Sequence, residues 1–387
     1  MTTTEKQFLA LLRLALHPSD VLPTVLTLND IDWDGVFDIA KAQSVLGVLF
    51  SGVMQWKRYA PATVSSNHIS QELFAKWYGL TVMLRQRNIY LTHISSKIVS
   101  KFNSAGFRAC VLKGQGNALL YERNNDNRET TFYRTPGDID VWVMPDDVTT
   151  IADARKRVVE YIHGLFPGVK ETLLHIKFPL PVEASVEVHY APMMDAAPWR
   201  NRRMWNFLEE HATDCFGNMT SAGFAVPVSP VNGLCQLFHI RRHFIKEGIG
   251  MRHIIDYYFL LKSMTEAERA ETWKLLCKFG CRRFTSALMY AITVLSPETA
   301  VGGDSELLLC RPDERRGRFL LAEILRGGNF GQHDERLNGV NTMAFWGRFC
   351  KYVHLSLVRW RYFPADVFWG YVLRLRLALW RQTGVGI

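Results

Sequence analysis

Apolar residues recur every three or four positions through most of the first hundred residues, the spacing that buries one face of an α-helix. This pattern predicts helices over 7–16, 44–54 and 72–102. From residue 107 the apolar residues instead form a short continuous run, so 107–112 is predicted to be a strand. After a glycine break the helical spacing returns over 117–122. The chain therefore starts with helices and then changes its period.

The middle of the chain alternates between strand and helix signals. One helix is predicted to begin at Pro145-Asp146-Asp147 and to end near Leu165. The polar stretch 123–133 is too rich in Asn, Asp and Arg for regular structure, and helical spacing returns from residue 198 onward. Three runs rich in β-branched residues are predicted as strands, over 138–143, 172–179 and 183–190.

This order of elements predicts an α+β fold with an α/β core, in which a small mixed sheet is flanked by N-terminal helices and a larger C-terminal helical region. A chain of 387 residues is long enough for two or three such units. We predict an N-terminal helical region over 1–85, a central domain over 86–195 and a C-terminal helical domain over 196–387.

Composition places the chain among ordinary globular proteins, since 48% of its residues are hydrophobic and 21% are charged. The seven cysteines are scattered and odd in number, which argues against a disulfide framework and for a reducing compartment. Cys277 and Cys281 lack a second pair to complete a zinc site, so we interpret both as core thiols. Neither a signal core nor an apolar stretch of transmembrane length is found, so we expect a cytoplasmic protein.

Positive charge is concentrated in the last part of the chain. Over 341–387, seven Lys and Arg residues accompany one acid, so most of the formal net charge of +9 lies there. Such a segment can bind nucleic acid, an acidic partner or, peripherally, an anionic membrane surface. We favour the alternative of two terminal helices that pack their aromatics inward and leave their arginines in solvent. The residues concerned are Trp346, Arg348, Lys351, Arg359, Trp360, Arg361, Asp366, Trp369, Arg374, Arg376, Trp380 and Arg381.

Two aspartates give the chain its clearest chemical signal. Asp138 and Asp140 stand one residue apart at the start of an apolar, β-branched run, just after Pro136-Gly137. In a strand such residues point to the same face, about 7 Å apart along the backbone. Two carboxylates at that separation can hold divalent cations over one reacting phosphate. A solvated strand end is the alternative interpretation.

Phosphoryl-group transfer also needs groups that position phosphate and acceptor. Gly114 and Gly116 lie at a predicted strand-to-helix turn, where helix N-terminal amides can face a phosphate; a plain tight turn is the alternative. Alternation along 185–189 puts Glu187 on the polar face of its strand. If that strand pairs beside 138–143, Glu187 joins the aspartates and either completes a metal site or takes a proton from an acceptor hydroxyl. Otherwise Glu187 is a solvated strand residue.

Four histidines occupy positions that invite a functional interpretation. His239 and His243 lie four residues apart on an apolar helix, the spacing of a zinc pair, but without a neighbouring Glu or third ligand. We therefore favour a structural role or a place in the wall of a pocket. His175 and His189, on neighbouring predicted strands, either border the acidic face or support the sheet through hydrogen bonds.

The arrangement of these motifs resembles the nucleotidyltransferase (polymerase beta-like) fold superfamily. In particular it is similar to an uncharacterised bacterial nucleotidyltransferase family often encoded near surface-polysaccharide genes. The resemblance extends from about residue 70 to 335 and rests on 112–114, 120–121, Arg134, 137–143, 175–178, 186–189, 239–243, 248–252, Asp256 and 328–331.

The resemblance implies a role for each acidic residue. It makes 86–195 the catalytic domain, with Asp138 and Asp140 as ligands of Mg²⁺ or Mn²⁺ and Glu187 as the third carboxylate. Glu187 departs from the Asp common among relatives, which changes its reach by one methylene. The Gly-Gly or Gly-Ser pair usual in the superfamily is replaced by Gly114-Gln115, and a long insertion separates this turn from Asp138.

The resemblance also suggests which residues bind NTP. Arg252 and Asp256 have the spacing of a helix-surface ion pair, but their place in the family pattern implies a pocket role, with Arg252 on a phosphate or an acceptor. The candidates for holding the phosphates of NTP are Lys113, Gly114, Gln115, Gly116 and Arg134.

Three functional hypotheses follow. The first is a metal-dependent nucleotidyltransferase that transfers a nucleoside monophosphate to a small-molecule or glycan acceptor. The second keeps this chemistry but directs it, as in the nucleotidyltransferase toxins, to RNA or a protein, with the basic tail as the docking surface. The third is a non-catalytic module that binds ATP or another nucleotide.

Overall fold

The computed structural model describes residues 1–17, 30–59, 68–123, 133–182, 184–295, 307–337 and 345–383. The stretch 123–133, predicted to be irregular, lies almost entirely outside the described residues. Within them the chain runs from a group of helices through a four-stranded mixed sheet into a larger group of helices, which confirms the predicted α+β fold.

The N-terminal helices begin at residues suited to cap them. They are α1 (Thr3–Leu16), α2 (Trp33–Ala42), α3 (Leu46–Tyr59) and α4 (Gln71–Ser104). The Thr2 hydroxyl accepts a hydrogen bond from the Glu5 amide while the Glu5 carboxylate accepts one from the Thr2 amide, so α1 starts with a capping box. The three helices predicted here are confirmed, and α2, which Asp32 caps, was missed as a separate element.

The central part of the chain forms a sheet, and two helices lie in the connections between its strands. Its elements are β1 (Phe107–Leu112), α5 (Gly114–Arg123), β2 (Ile139–Pro145), α6 (Ile151–Leu165), β3 (His175–Lys177) and β4 (Val186–His189). The strand order is β1-β2-β4-β3, with β2 and β4 parallel and the other two pairs antiparallel. All four predicted strands are present.

Two predicted boundaries are wrong for identifiable reasons. Helix α6 does not begin at Pro145, because Pro145 is the last residue of β2 and pairs with Phe107. The helix begins after Thr150, whose hydroxyl accepts from the Asp153 amide. Strand β3 is shorter than 172–179 because the Thr172 hydroxyl bonds to the main chain of the following residues and competes with the strand ladder.

Alternation along the strands gives the sheet one apolar and one polar face at this end. The Ile and Val residues of β2 and β4 form a buried cluster with apolar residues of α4 and α6. The residues between them, Asp140 on β2 and Glu187 and His189 on β4, therefore point to the opposite face. That face is covered by the C-terminal helices.

The C-terminal half of the described chain is helical. Its helices are α7 (Pro198–Glu210), α8 (Ala212–Gly217), α9 (Ser229–Lys246), α10 (Met251–Ser263), α11 (Glu266–Lys278), α12 (Arg282–Thr293), α13 (Glu314–Gly327), α14 (Phe345–Trp360) and α15 (Pro364–Thr383), with 3₁₀ turns at Asn329–Gly331 and Glu335–Leu337. Cys281 is buried as predicted, but Cys277 is exposed and is not a core thiol. No helix within the described ranges has both the length and the apolar composition that a membrane crossing requires.

One buried amide links distant parts of the fold. Gln43 is fully buried, and its side chain donates to the main-chain oxygen of Ile324, 2.9 Å away, at the end of α13. Its Oε1 accepts from the amide of Met251, 3.0 Å away, at the start of α10. Because a buried amide needs such partners, Gln43 fixes α10 against the N-terminal helices.

The cationic residues of the tail are mostly not in solvent. Lys351 and Arg376 donate to main-chain carbonyls, Arg359 is buried, and the guanidinium of Arg374 lies over the ring of Tyr352. The interpretation that these side chains are solvated is therefore wrong, because they pair with carbonyl oxygens and an aromatic face instead. Of the tail residues named from the sequence, Arg348 and Arg381 have side chains outside the described part of the structure.

The tail tryptophans divide into two groups. Trp346 and Trp360 are 71% and 50% exposed. The prediction that the tail aromatics pack inward is therefore wrong for these two residues. Trp369 and Trp380 are partly buried, and Arg361 is exposed, as predicted. The two terminal helices thus keep several cations inside and leave part of their apolar surface outside.

Candidate active site

Three carboxylates meet at one end of the central sheet. The register of β2 and β4 sets Asp140 directly opposite Glu187. Asp138 lies immediately before β2, and all three carboxylates line one cavity. The pairing on which the role of Glu187 was made conditional is thus present, and it brings together acids that are far apart along the chain.

Asp140 is buried and has two close partners. Its Oδ1 is 2.9 Å from His189 Nε2, and its Oδ2 is 3.3 Å from Lys113 Nζ. Burial alone would raise the pKa of Asp140, but Lys113 and the hydrogen bond from His189 hold the pKa well below its usual range. Asp140 is therefore ionised. Lys113, predicted to bind phosphate, neutralises this carboxylate.

Glu187 lies between two histidines. Its Oε2 is 3.5 Å from His175 Nδ1 and 3.6 Å from His189 Nε2. The contact with His189 lowers the pKa of Glu187 although burial opposes it. Burial and the neighbouring His189 lower the pKa of His175 to about 4, so the His175 ring is neutral at pH 7. Burial opposes protonation of His189 too, but its bonds to Asp140 and Glu187 raise its pKa.

Asp138 differs from the other two acids because no described residue pairs with its carboxylate. Within the described residues its carboxylate forms no hydrogen bond and no ion pair. Burial raises the pKa of Asp138, and the nearby charges of Asp140 and Glu187 raise it further. An acid held beside like charges in this way favours binding of a cation.

The turn before α5 has an unusual backbone. Lys113 and Gly114 have φ values of +48° and +44°, in the left-handed region that is costly for a lysine. A Cβ on Gly114 would also lie 3.2 Å from the main-chain oxygen of Asp138. The turn therefore brings the first amides of α5 close to the strand that carries the aspartates.

Two of the predicted phosphate-binding residues do not reach the cavity. Gln115 is buried and does not line it. A Cβ on Gly116 would meet the Val226 side chain at 3.1 Å and the Val111 oxygen at 3.3 Å, so this glycine permits close packing of α5. Of the turn residues, Lys113 and Gly114 line the cavity.

The cavity has a volume of about 510 Å³ and predominantly polar walls. The sheet and the α5 turn form one side, and α9, α10 and the segment around Asn329 form the other. The predicted site residues that line it are Lys113, Gly114, Arg134, Asp138, Asp140, His175, Glu187, His189, His239, His243, Arg252 and Asp256.

Arg134 and Asp256 form a buried ion pair in the wall of the cavity. Arg134 Nε is 2.7 Å from Asp256 Oδ1 and Nη2 is 2.8 Å from Oδ2, so the pairing is bidentate. The Tyr121 hydroxyl donates to the same carboxylate at 2.8 Å. The predicted surface ion pair of Arg252 with Asp256 is therefore wrong, because Asp256 is buried and pairs with Arg134.

Two arginines in the cavity have no carboxylate partner. Among the described residues neither Arg242 nor Arg252 forms an ion pair, and Arg252 donates from Nη1 to the Thr135 carbonyl at 3.2 Å. Burial, with Arg134 nearby, lowers the pKa of Arg252 to about 10, so the side chain is still charged at pH 7. Cations without a built-in counter-charge at a cavity wall are suited to bind an anion.

His239 and His243 lie in the same wall of the cavity, with ring centroids 4.3 Å apart. His239 Nδ1 is 3.3 Å from Lys113 Nζ, and burial holds the pKa of His239 well below its usual value. His243 hydrogen-bonds to Glu247. The Lys113 ammonium group therefore contacts both His239 and Asp140.

A family model for uncharacterised nucleotidyltransferases matches residues 29–295, which is more than half of the chain. The match includes the sheet, the three carboxylates, α9 and α10. The chain belongs to this nucleotidyltransferase family. No curated protein and no solved structure matches it.

Some residues that line the cavity of this nucleotidyltransferase were not predicted from the sequence as site residues. Asn117 lies one helical turn after Gly114, a spacing that could have indicated it, and its side chain accepts from Gln236. Arg242 lies between the two histidines that were selected. Phe330 lines the cavity from beyond the family match, and its segment had been noted only as part of the resemblance.

Proposed function

We propose that this chain is a divalent-metal-dependent nucleotidyltransferase that binds NTP between the sheet and α9 and α10. The observation that carries the proposal is the parallel register that sets Asp140 opposite Glu187, with Asp138 on the same cavity. The cavity volume of about 510 Å³ lies within the usual range of ligand pockets. Family membership independently supports nucleotidyl transfer.

The donor atoms in the cavity fit a divalent cation. Asp138 has an unpaired carboxylate with a raised pKa, and a cation would relieve its repulsion from Asp140 and Glu187. Donor atoms of His175, Glu187 and His189 lie within 4.8 Å of one another. Carboxylate oxygens suit Mg²⁺, whereas histidine nitrogens beside them suit Mn²⁺ better, so both metals belong in any assay.

A bound divalent ion would neutralise charge that develops on the transferring phosphate. In the reaction, an acceptor oxygen forms a bond to the α-phosphorus of NTP, the bond from that phosphorus to the β-bridging oxygen breaks, and pyrophosphate leaves. Glu187 would take the proton when the acceptor is a hydroxyl, and its lowered pKa keeps it ionised for this role. A phosphate acceptor is already deprotonated.

The triphosphate is held by the α5 turn and by the unpaired arginines. Gly114 permits close approach to the N-terminus of α5, where the amides and the helix dipole favour an anion. Arg252 and Arg242 supply positive charge that no described carboxylate neutralises. Arg134, by contrast, has its guanidinium occupied by Asp256 and supports the cavity wall.

Replacement of Arg252 by Met should weaken NTP binding about tenfold or more, because a charge-assisted contact to phosphate is lost. The effect should appear in the dissociation constant for metal–NTP, measured by calorimetry, while the unfolding temperature changes little. Arg318→Met, which removes an exposed arginine that pairs with Glu314 on α13, is the matched control. Unchanged NTP affinity in Arg252→Met would exclude this residue from the phosphate site.

The decisive experiment is incubation of the protein with each of the four α-labelled NTPs, with Mg²⁺ or Mn²⁺, and with cell extract as the source of acceptor. We expect label to be transferred from one or more of the α-labelled NTPs and none from the γ-labelled forms. The resemblance to bacterial proteins of surface-polysaccharide loci favours a cytoplasmic glycan acceptor. Label on RNA or protein would support the toxin-like alternative.

The structure does not favour RNA as the acceptor. Among the described cations of the tail, Arg359 is buried, and Lys351 and Arg376 donate to main-chain carbonyls, so these three are not free to contact a phosphate backbone. A non-catalytic nucleotide-binding module would retain metal-dependent NTP binding but transfer no label from any NTP. The intact set of three carboxylates argues for catalysis.

A further inference from the structure

A second cavity adjoins the candidate active site. It has a volume of about 490 Å³ and lies between α7, α9 and α15. Arg242 and Lys246, on successive turns of α9, line both cavities. The two cavities therefore share this part of α9, and Glu187 lines the active-site cavity on which Arg242 and Lys246 also lie.

The acidic residues of the second cavity are already neutralised. Asp195 is buried, with Oδ1 3.1 Å from Arg200 Nε and Oδ2 3.6 Å from Arg241. Asp366 Oδ1 is 3.5 Å from the other terminal nitrogen of Arg241. These two acids and two arginines balance, so they leave no net charge for a ligand.

The remaining cations are not balanced. Arg374 lies over the ring of Tyr352, with its guanidinium carbon 3.1 Å from the ring centroid. Among the described residues, neither Arg374 nor Arg242 has a carboxylate within ion-pair distance, and Lys246 shares Glu247 with His243. The second cavity therefore has net positive charge, and Arg242 and Lys246 carry part of it to the wall shared with the active-site cavity.

The rest of the wall is apolar and comes from two helices. Phe238 and Ile245 project from α9, and Trp369, Leu373 and Leu377 project from α15. These five residues form a surface that can bury a chain or ring, while the arginines can hold an anion. A ligand that satisfies both has an anionic group joined to an apolar part.

We propose that this second cavity binds the acceptor, and that the acceptor is an amphipathic molecule with a phosphate or carboxylate group. The inference rests on the proposed nucleotidyl transfer and adds the class of acceptor to it. The anionic group lies at Arg374 and the apolar part lies along α15, while Arg242, which lines both cavities, faces the acceptor as well as the triphosphate. This arrangement brings the polar end of the acceptor to Glu187 and the bound nucleotide, which supplies the orientation that group transfer requires.

Octyl phosphate, at concentrations at which it is monomeric, is a suitable probe of the full-length protein. Ala378 lines the cavity and is itself exposed, so Ala378→Trp should fill the cavity without removing a packed side chain. Leu375→Trp places similar bulk on an exposed part of the same helix, outside the cavity, and is the matched control. Binding is measured by calorimetry, together with metal–NTP binding.

We expect Ala378→Trp to lower the affinity for octyl phosphate about tenfold or more, and Leu375→Trp to leave it unchanged. Arg374→Gln should also lower that affinity roughly tenfold but should not affect binding of the neutral octyl glucoside. Metal–NTP affinity should stay the same in all three variants. Equal octyl phosphate affinity in Ala378→Trp and wild type, or no binding to wild type, would overturn the inference.

The failure of this inference can be told apart from failure of the proposed function. If the wild-type protein binds metal–NTP and transfers label but does not bind octyl phosphate, the proposed nucleotidyl transfer stands and the proposed acceptor site is refuted. If the wild-type protein binds octyl phosphate in the cavity but does not bind metal–NTP, the proposed nucleotidyl transfer is refuted. The proposed acceptor role, which depends on it, is then refuted too.

Discussion

Replacement of Asp138 by Asn should reduce nucleotidyl transfer on the order of a thousandfold, because a divalent ion that stabilises charge in the transition state loses a ligand. The change keeps the size of the side chain and removes only its charge. Turnover of labelled NTP measures the effect, under saturating metal and nucleotide. Transfer at the wild-type rate would refute the assignment of Asp138 as a metal ligand.

The same variant should be at least as stable as the wild type. Folding raises the pKa of Asp138, so its carboxyl group favours the folded state only at pH values low enough to protonate it. That contribution is lost as the pH rises through the folded-state pKa, and the charged form is then held against Asp140 and Glu187. Urea unfolding of Asp138→Asn at pH 7 should therefore give an unchanged or larger unfolding free energy.

Replacement of Arg134 by Met should destabilise the fold by about 3–5 kcal/mol, because it leaves the buried Asp256 carboxylate without its counter-charge. Asp256 and Arg134 are 5% and 4% exposed, so solvent cannot compensate. Urea unfolding at pH 7 measures the loss. An effect below about 1 kcal/mol would show that the pair contributes no more than an exposed one.

The pH dependence of this effect has a defined sign. Burial alone would raise the pKa of Asp256, but Arg134 lowers it below the usual value in the wild type. The stability it contributes is present above the unfolded-state pKa and is lost as the pH falls through the folded-state pKa. The difference between Arg134→Met and wild type should therefore shrink in acid, and Arg134→Met/Asp256→Asn should be less destabilised than Arg134→Met alone at pH 7.

The sequence was sufficient for the elements whose signal is local. Strand β1 was predicted at its observed limits, because its apolar residues and the glycine break bound it on the printed sequence. The face of Glu187 followed from the two-residue period of a strand, whereas its pairing with Asp140 was only a condition that the observed register meets. Local pattern was enough there because each element buries a face that its own residues define.

The partners of the site residues could not be derived in this way. Arg134 and Asp256 are 122 residues apart along the chain, and no periodic pattern indicates that they meet. Gln115 and Gly116 were predicted to contact phosphate because they belong to a glycine-rich turn. Neither residue lines the cavity, and Gly116 instead packs against Val226. Tertiary contacts decide which charged side chains form ion pairs. They pair Arg134 with Asp256 and leave Arg252 without an ion pair among the described residues.

The buried side chain of Gln43 has a consequence for how the protein matures. Its acceptor Ile324 and its donor Met251 lie 281 and 208 residues later in the chain, so closing these bonds requires very long loops. A nascent polypeptide that has not yet exposed residue 324 outside the ribosome lacks the carbonyl that fixes the Gln43 side chain, and Gln43 in turn holds the start of α10. Nucleotide affinity should consequently arise late in synthesis, once nearly the whole polypeptide has emerged.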